Sequence, residues 1–491
     1  MRKCLAALMA ALMLITAGCS PAEPVQAPPA AQELQPDALF KGLDLPPGYD
    51  LRQFEGMTLN FIVENNLYAA ILSHESEAFS QATGINVRVR AMDFDTLAKK
   101  VNLDFISKAG KYQIVYVDPY QTLNRFSGDL ESLVPYATDP TGPHIKGFMA
   151  DFFDFQTEAC AYFGDRSQVY TIPFDSTTMI LYYRKDIFDK YREPFYRDMH
   201  YDWTPGTPDF TWERYCEVAA WIDANVPDSE VRYGAGHMAQ QHNSIFCDFS
   251  SVLAAYGGDY FGDADASTLG ARRFDRILTT GPAMVKALDM YKRILSVSAP
   301  DSVNWNWTDS ANAFRNGQIA MMPNWDENYT YMEHDTASRV SGKVGYAVLP
   351  RGDVRSANIY GGSGIGINKY ATPEEKKAAW LYIVWATSAE MQLKVLMHPE
   401  GGCLPTRTSA YRGLTSGIPG QLPEGEVPAH VPAVLSAWSP ENLYLRPKVS
   451  SFYEAEQVLI RNLHAMVQEK LDSREVSRRI TEELENVRQK Q

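Results

Sequence analysis

Four glycines within six residues, Gly361, Gly362, Gly364 and Gly366, followed by Lys369, are the first stretch of the chain with chemistry in it. Such a run cradles a phosphate when its spacing matches a dinucleotide or P-loop motif. It does not: Ile367 stands where G-x-G-x-x-G needs its last glycine, and no G-x-x-x-x-G-K-[ST] occurs. Ser363 lies among the glycines, but Ile365 occupies the second glycine of a nucleophile elbow. His237 and His242 are five residues apart, so they do not share a helix face as H-E-x-x-H ligands do. Carboxylates abound, but a sequence does not show a pair held at glycosidase separation. The nine histidines are scattered and read as surface or structural residues. No catalytic residue, metal or cofactor is expected. The glycine run reads as permissive backbone that lets a ligand or another chain approach closely.

A second set of residues suits binding. Glu64-Asn65-Asn66-Leu67-Tyr68 and Val117-Asp118-Pro119-Tyr120 each place amides or a carboxylate beside an aromatic ring. Hydroxyls need paired donors and acceptors, and the C–H face of a sugar packs on a ring. The elements that would position them are legible. "MTLNFIVEN", "INVRVRAM" and "YQIVYVDP" read as strands; between them lie two amphipathic helices, the first ended by Gly84 and the second capped by Asp93 or Asp95. Alternating strand and helix calls for a parallel sheet with right-handed crossovers, which binds its ligand beyond the carboxyl ends of its strands. Both polar loops fall at such ends. Further on, Thr211 opens a helix, residues 235–256 read as a helix ended by Gly257-Gly258, residues 374–397 read as one long helical stretch, and the last forty residues are helical.

The 491 residues have an ordinary globular composition, 45% apolar and 22% charged, enough for two or three domains without help from disulfides. The formal charge of −14 becomes −16 when Arg2 and Lys3 leave with a leader, and no Lys/Arg cluster relieves it, which argues against nucleic acid. That leader is residues 1–18: a basic start, the apolar "CLAALMAALMLI", then small residues before Cys19. Its end, "TAGC", resembles the lipobox of bacterial lipoproteins, which implies cleavage before Cys19 and acylation of its thiol. Residues 19–52, rich in Pro and Ala, read as a tether. No later stretch is apolar enough to span a bilayer, so membrane attachment is expected through the lipid alone. Cys160, Cys216, Cys247 and Cys403 remain; three pairings or four buried thiols are both open.

The order of segments resembles the family 1 extracellular solute-binding proteins, the group that includes maltose-binding protein and other carbohydrate receptors of ABC importers. The segments that carry it run from about residue 55 to 490: "FSQATGINVRV", "YQIVYVDPY", "LESLVPYATD", "YTIPFDSTTMILYYRKDIF", "FTWERYCEVA", "LAAYGGDYF", "AFRNGQIAMMPNW", "GKVGYAVLPRG", "YGGSGIGINKYATPEEKKAAWLYIVWATS" and "GGCLPTRTSAY". The resemblance implies an α/β fold of two lobes, each a sheet flanked by helices, with a ligand cleft between them and hinge closure. It implies an N-terminal lobe of residues 53–174 and 345–390, a C-terminal lobe of 175–344 and 391–491, and crossings near 172–176, 342–346 and 388–400. The glycine run would then be the strand and turn at the cleft edge.

Carried over by resemblance, the ligand contacts fall on Asn65, Asn66, Tyr68, Asp118, Tyr120, Asp175, Ser176, Thr177, Trp325, Asn328, Tyr360, Gly362, Ser363, Arg407 and Tyr453. The family often has Trp where Ser363 stands, and an acid where Thr177 stands, so the particular sugar stays open. The implied partners are ABC permease subunits and a small carbohydrate, with the chain a monomer outside the cytoplasm, at the cell surface or in the periplasm. A receptor of the same fold for a polyamine, phosphate ester or metal, and an enzyme acting on polysaccharide, are the competing readings.

Overall fold

Strand β1, Thr58–Glu64, buries Leu59, Phe61, Ile62 and Val63, an apolar run suited to the middle of a covered parallel sheet. The computed structural model describes residues 39–490 except 41, 263–273, 275, 416–426 and 450. Around β1 the order is β2-β1-β3-β9-β4, with β2 Asn86–Met92, β3 Ile114–Val117, β4 Thr171–Pro173 and β9 Gly364–Ile367. β1 runs parallel to β2 and β3, while β9 returns antiparallel between β3 and β4. Local chemistry sets the connecting helices. Asn66 caps the helix Leu67–Thr83 by accepting from Ala69 N, and Gly84, at φ 74°, ends it in the left-handed conformation. Asp93 accepts from Thr96 N to start the helix Phe94–Ser107.

A second sheet, β6-β5-β7, is wholly antiparallel: β5 Met179–Arg184, β6 Met321–Trp325 and β7 Val344–Ala347. Successive residues of β5 enter opposite cores, Met179 and Leu181 one, Ile180 and Tyr182 the other. The first core joins this sheet to the helices Trp212–Asn225, Asn243–Ala255 and Pro282–Ser296 and to the C-terminal pair Phe452–Glu469 and Ser473–Arg488. A short parallel pair, β8 Asn358–Ile359 and β10 Leu443–Tyr444, stands beside it. Each sheet anchors one lobe.

The chain passes between lobes at residues 174–178, from β4 to β5. The second passage comes later than the resemblance implied: β7 pairs with β5, so residues 344–360 stay in the second lobe and the chain crosses between Tyr360 and Gly364. The apolar run Val344–Ala347 gains its hydrogen bonds by completing the second sheet. The third passage comes before the helix Val431–Ala437, which packs with β5, because Cys403 and Arg407 still belong to the first lobe, Cys403 in its core and Arg407 on Thr387 and Asp151.

Other local expectations shift. Residues 235–241 are not helical; the helix begins at Asn243, where His242 caps it by accepting from Ser244 N. The long stretch 374–397 breaks into Pro373–Ala386 and Ala389–Met397, because Ser388 caps a new helix by accepting from Met391 N. The end of the expected tether is not free chain: Phe40 is buried 5.9 Å from the Phe79 ring, and Leu43, Leu45, Tyr49 and Leu51 pack on the first lobe. Cys19 and the leader lie outside the described residues. Cys160, Cys216, Cys247 and Cys403 are buried free thiols. Among the described residues no helix is long and apolar enough to cross a membrane.

Candidate functional site

Between the lobes lies a cleft of about 440 Å³. Its first-lobe wall comes from the carboxyl ends of β1 and β3 and the start of the helix Phe94–Ser107: Glu64, Asn65, Asp93, Phe94, Tyr116 and Asp118. The second-lobe wall comes from Thr177, Trp325, Glu327, Asn328 and Tyr331, and from the helix Trp307–Arg315. That helix starts in a capping box in which Asn306 and Asp309 satisfy each other's backbone, which fixes Trp307 and Thr308 at the cleft. Phe94 and Trp307 meet edge-on across the two lobes, ring centres 6.0 Å apart.

Trp325 ends β6 opposite Met179, and its carbonyl accepts from Tyr182 Oη at 2.7 Å. The ring is 9% exposed and packs on Gly361, where a Cβ would come within 2.6 Å of it. Gly364 is equally crowded, by Thr171. Neither glycine has a positive φ, so the glycine run serves close approach and not left-handed backbone. Asn328 Nδ2 donates to Trp325 O at 3.1 Å and to Asn324 Oδ1 at 3.2 Å, which holds the turn beneath the ring.

At the hinge, Asp175 ties the two lobes. Its carboxylate accepts from Asn66 Nδ2 at 2.9 Å, Tyr116 Oη at 2.7 Å and Ser363 N at 2.7 Å, and its carbonyl from Tyr360 Oη at 3.1 Å. Burial lifts Asp175 to about 7, against the pull of those bonds. Burial first, and the charge of Asp175 second, lift Glu64 to about 8. Glu327 is raised by burial and then by Glu64 and Asp175. Three acids crowd one end of the cleft, and burial and their mutual repulsion raise all three above the ordinary carboxylate range.

The other end holds Arg446, buried with its guanidinium 4.0 Å from the Tyr120 ring centre. Asp118 caps the turn after β3, its Oδ1 accepting from Tyr120 N at 2.8 Å and Gln121 N at 2.6 Å. Burial raises Asp118 and the Arg446 charge pulls it back. Glu456 accepts from Asn243 Nδ2 and Gln121 Nε2, and burial lifts it to about 8.

Of the residues carried over by resemblance, the cleft brings together Asn65, Asp118, Thr177, Trp325, Asn328 and Ser363. The others lie behind or away from it. Asn66, Asp175 and Tyr360 spend their polar groups on the hinge. Tyr68 is buried in the first lobe, its hydroxyl on Ala386 O, and Ser176 donates to Leu404 O. Tyr120 is covered by Arg446 and packs on Phe452. Gly362 is wedged against Tyr360. Arg407 donates to Thr387 O and pairs with Asp151, facing a separate hollow beside Leu43 and His144. Tyr453 is on the surface under Arg125. The cleft adds Glu64, Asp93, Phe94, Tyr116, Asn243, Trp307, Glu327, Tyr331 and Arg446. Glu64 and Tyr116 adjoin the loops the sequence pointed to; Arg446 carried no sequence signal.

Two α/β lobes, crossed by the chain and enclosing a polar, aromatic cleft, define a two-lobed solute-binding protein. The chain belongs to the bacterial extracellular solute-binding protein family, whose model matches residues 76–418. It is 23% identical over 369 residues to a mannitol-binding protein of Pseudomonas aeruginosa, covering 72% of this chain and 74% of that one. It is 21% identical over 366 residues to a probable amino-acid ABC transporter periplasmic-binding protein of Sinorhizobium fredii, covering 74% and 75%. Among solved structures, maltose-bound MalE3 of T. maritima superposes with a TM-score of 0.70 at 24% identity, covering 88% of this chain and all of that one. A binding protein of Agrobacterium vitis with bound D-mannitol gives 0.67 at 18% identity, covering 89% and 99%. The fold is the two-lobe architecture of these proteins. Membership places the work of the chain outside the cytoplasm.

Proposed function

We propose that the protein is a lipid-anchored receptor that binds a carbohydrate or polyol in the cleft and delivers it to an ABC-type import permease. The observation that carries the reading is the wall itself: the rings of Trp325, Trp307, Phe94 and Tyr331 alternate with Asn65, Asp118, Asn243 and Thr177, side chains that pair with hydroxyls. Relatives named for mannitol and maltose support it. The anchor rests on the basic, apolar and small-residue order that ends at Cys19. A second reading, a cationic solute such as a polyamine, is favoured by the acids Glu64, Asp118 and Glu327 on the same wall.

A thermal-shift screen of the mature chain against sugars, polyols and polyamines tests both. Stabilisation by a neutral sugar or polyol alone is expected; stabilisation by polyamines alone would select the second reading. Cys19→Ser should release the protein from the membrane fraction, and firm retention would refute the anchor.

A further inference from the structure

Arg446 is a buried charge of the cleft with few hydrogen-bond partners among the described residues. It follows β10 and is 6% exposed. One face of its guanidinium is covered by Tyr120. Nη1 reaches Cys247 Sγ at 3.7 Å, a weak acceptor, and Nε has no partner among the described residues. The carboxylates whose charge it feels, Asp118 and Glu456, take their hydrogen bonds from Tyr120, Gln121 and Asn243. A guanidinium carries five N–H donors in a planar fork, and burying them without acceptors is costly. Arg407, 5% exposed, shows how the same fold satisfies a structural arginine: its Nε donates to Thr387 O at 2.8 Å, and Nη1 pairs with Asp151 at 3.4 Å. The Arg446 fork instead lines the cleft.

We infer that Arg446 anchors the solute by donating to two neighbouring hydroxyl oxygens of a vicinal diol, with Asp118 beside it accepting from the same hydroxyls. The inference rests on the sugar or polyol reading above and names the group recognised. The donor count favours a bidentate acceptor, and two adjacent hydroxyls offer one. The neighbouring acid favours neutral hydroxyls over a ligand carboxylate, because Asp118 already faces the one guanidinium. Asp118 Oδ1 takes both backbone donors, and its Oδ2 takes no bond from the described residues. A hydroxyl both accepts and donates, so a diol satisfies the arginine and the carboxylate together.

The test is titration calorimetry of the mature chain with maltose, D-mannitol and ribitol, and with D-gluconate as an acidic counterpart. The strongest neutral binder is then titrated into Arg446→Lys, Asp118→Asn and the double variant. Arg446→Lys keeps the charge that Asp118 and Glu456 feel and removes the fork. Its affinity should fall roughly 30-fold or more, with the melting temperature held within a few degrees. The double variant should lose less than the two single losses combined, because both residues serve one diol. Binding by Arg446→Lys within about threefold of the parent, or strictly additive losses, would overturn the assignment, as would tighter binding of D-gluconate than of every neutral solute. If Arg446→Lys lowers the melting temperature sharply, Asp118→Asn carries the test alone, and its unchanged affinity would overturn the assignment. A parent that binds none of the neutral solutes refutes the sugar reading first, before any substitution is made.

Discussion

The two ends of the cleft use buried charge in opposite ways. At the hinge end Glu64, Asp175 and Glu327 stand together, and burial drives all three above the ordinary carboxylate range. Asp175 is nevertheless saturated: Asn66, Tyr116 and Ser363 donate to it from three separate segments. At the far end Arg446 lowers the cost of ionising Asp118 and Glu456 but pairs with neither. The contrast separates structure from recognition. A buried acid with every bond made holds the lobes in register; a buried guanidinium with donors to spare has them left for the proposed solute.

The largest effect should come from breaking the saturated end. Asp175→Ala strips an acceptor from Asn66, Tyr116 and Ser363 at once, so stability should fall by about 3–5 kcal/mol. Chemical denaturation checks it, and a loss under about 1 kcal/mol would show that the hinge does not depend on this carboxylate. The wall between the two ends comes next. Trp325→Ala should weaken binding of a verified neutral solute by about 2 kcal/mol, roughly 30-fold. The ring also packs on Gly361, so some melting temperature is lost with it. Full affinity in calorimetry would remove Trp325 from the binding wall.

The smallest effect sharpens the electrostatics. Glu64 moves from an ordinary 4.5 to about 8 in the folded chain. Across that window the folded state holds a proton the unfolded chain has lost, so this group's contribution to stability declines as pH rises from about 4.5 to about 8. Glu64→Gln removes the group, and the fall in melting temperature between pH 5 and pH 8 should flatten. An unchanged pH profile would show that Glu64 does not titrate in this range.

Much of the first lobe was legible because its causes are local. Asp93 caps the helix that follows it, Gly84 ends one, and β1 and β3 are apolar runs that a covered sheet demands. The loops at the ends of those strands therefore pointed to Asn65 and Asp118, both on the cleft wall. Tyr68 and Tyr120, in the same loops, turned inward, because a large ring next to a strand end lowers its free energy by filling a core.

Sequence alone thus determined the leader pattern, the alternation of strands and helices in the first lobe, the caps and the acidic balance. Each depends on neighbours along the chain or on composition. Tertiary structure alone decided that β7 completes the second sheet, that Asp175 joins three segments, and that Arg446, not Arg407, faces the cleft. The two arginines are alike in type and burial. They differ in what folding brought beside them: Thr387 and Asp151 satisfy one, while of the acids nearest the other Asp118 is claimed by the backbone of its own turn and Glu456 by amide donors from distant segments. Hydrogen bonds between residues tens to hundreds of positions apart leave no periodic trace in a sequence, so the folded chain is where that choice is made.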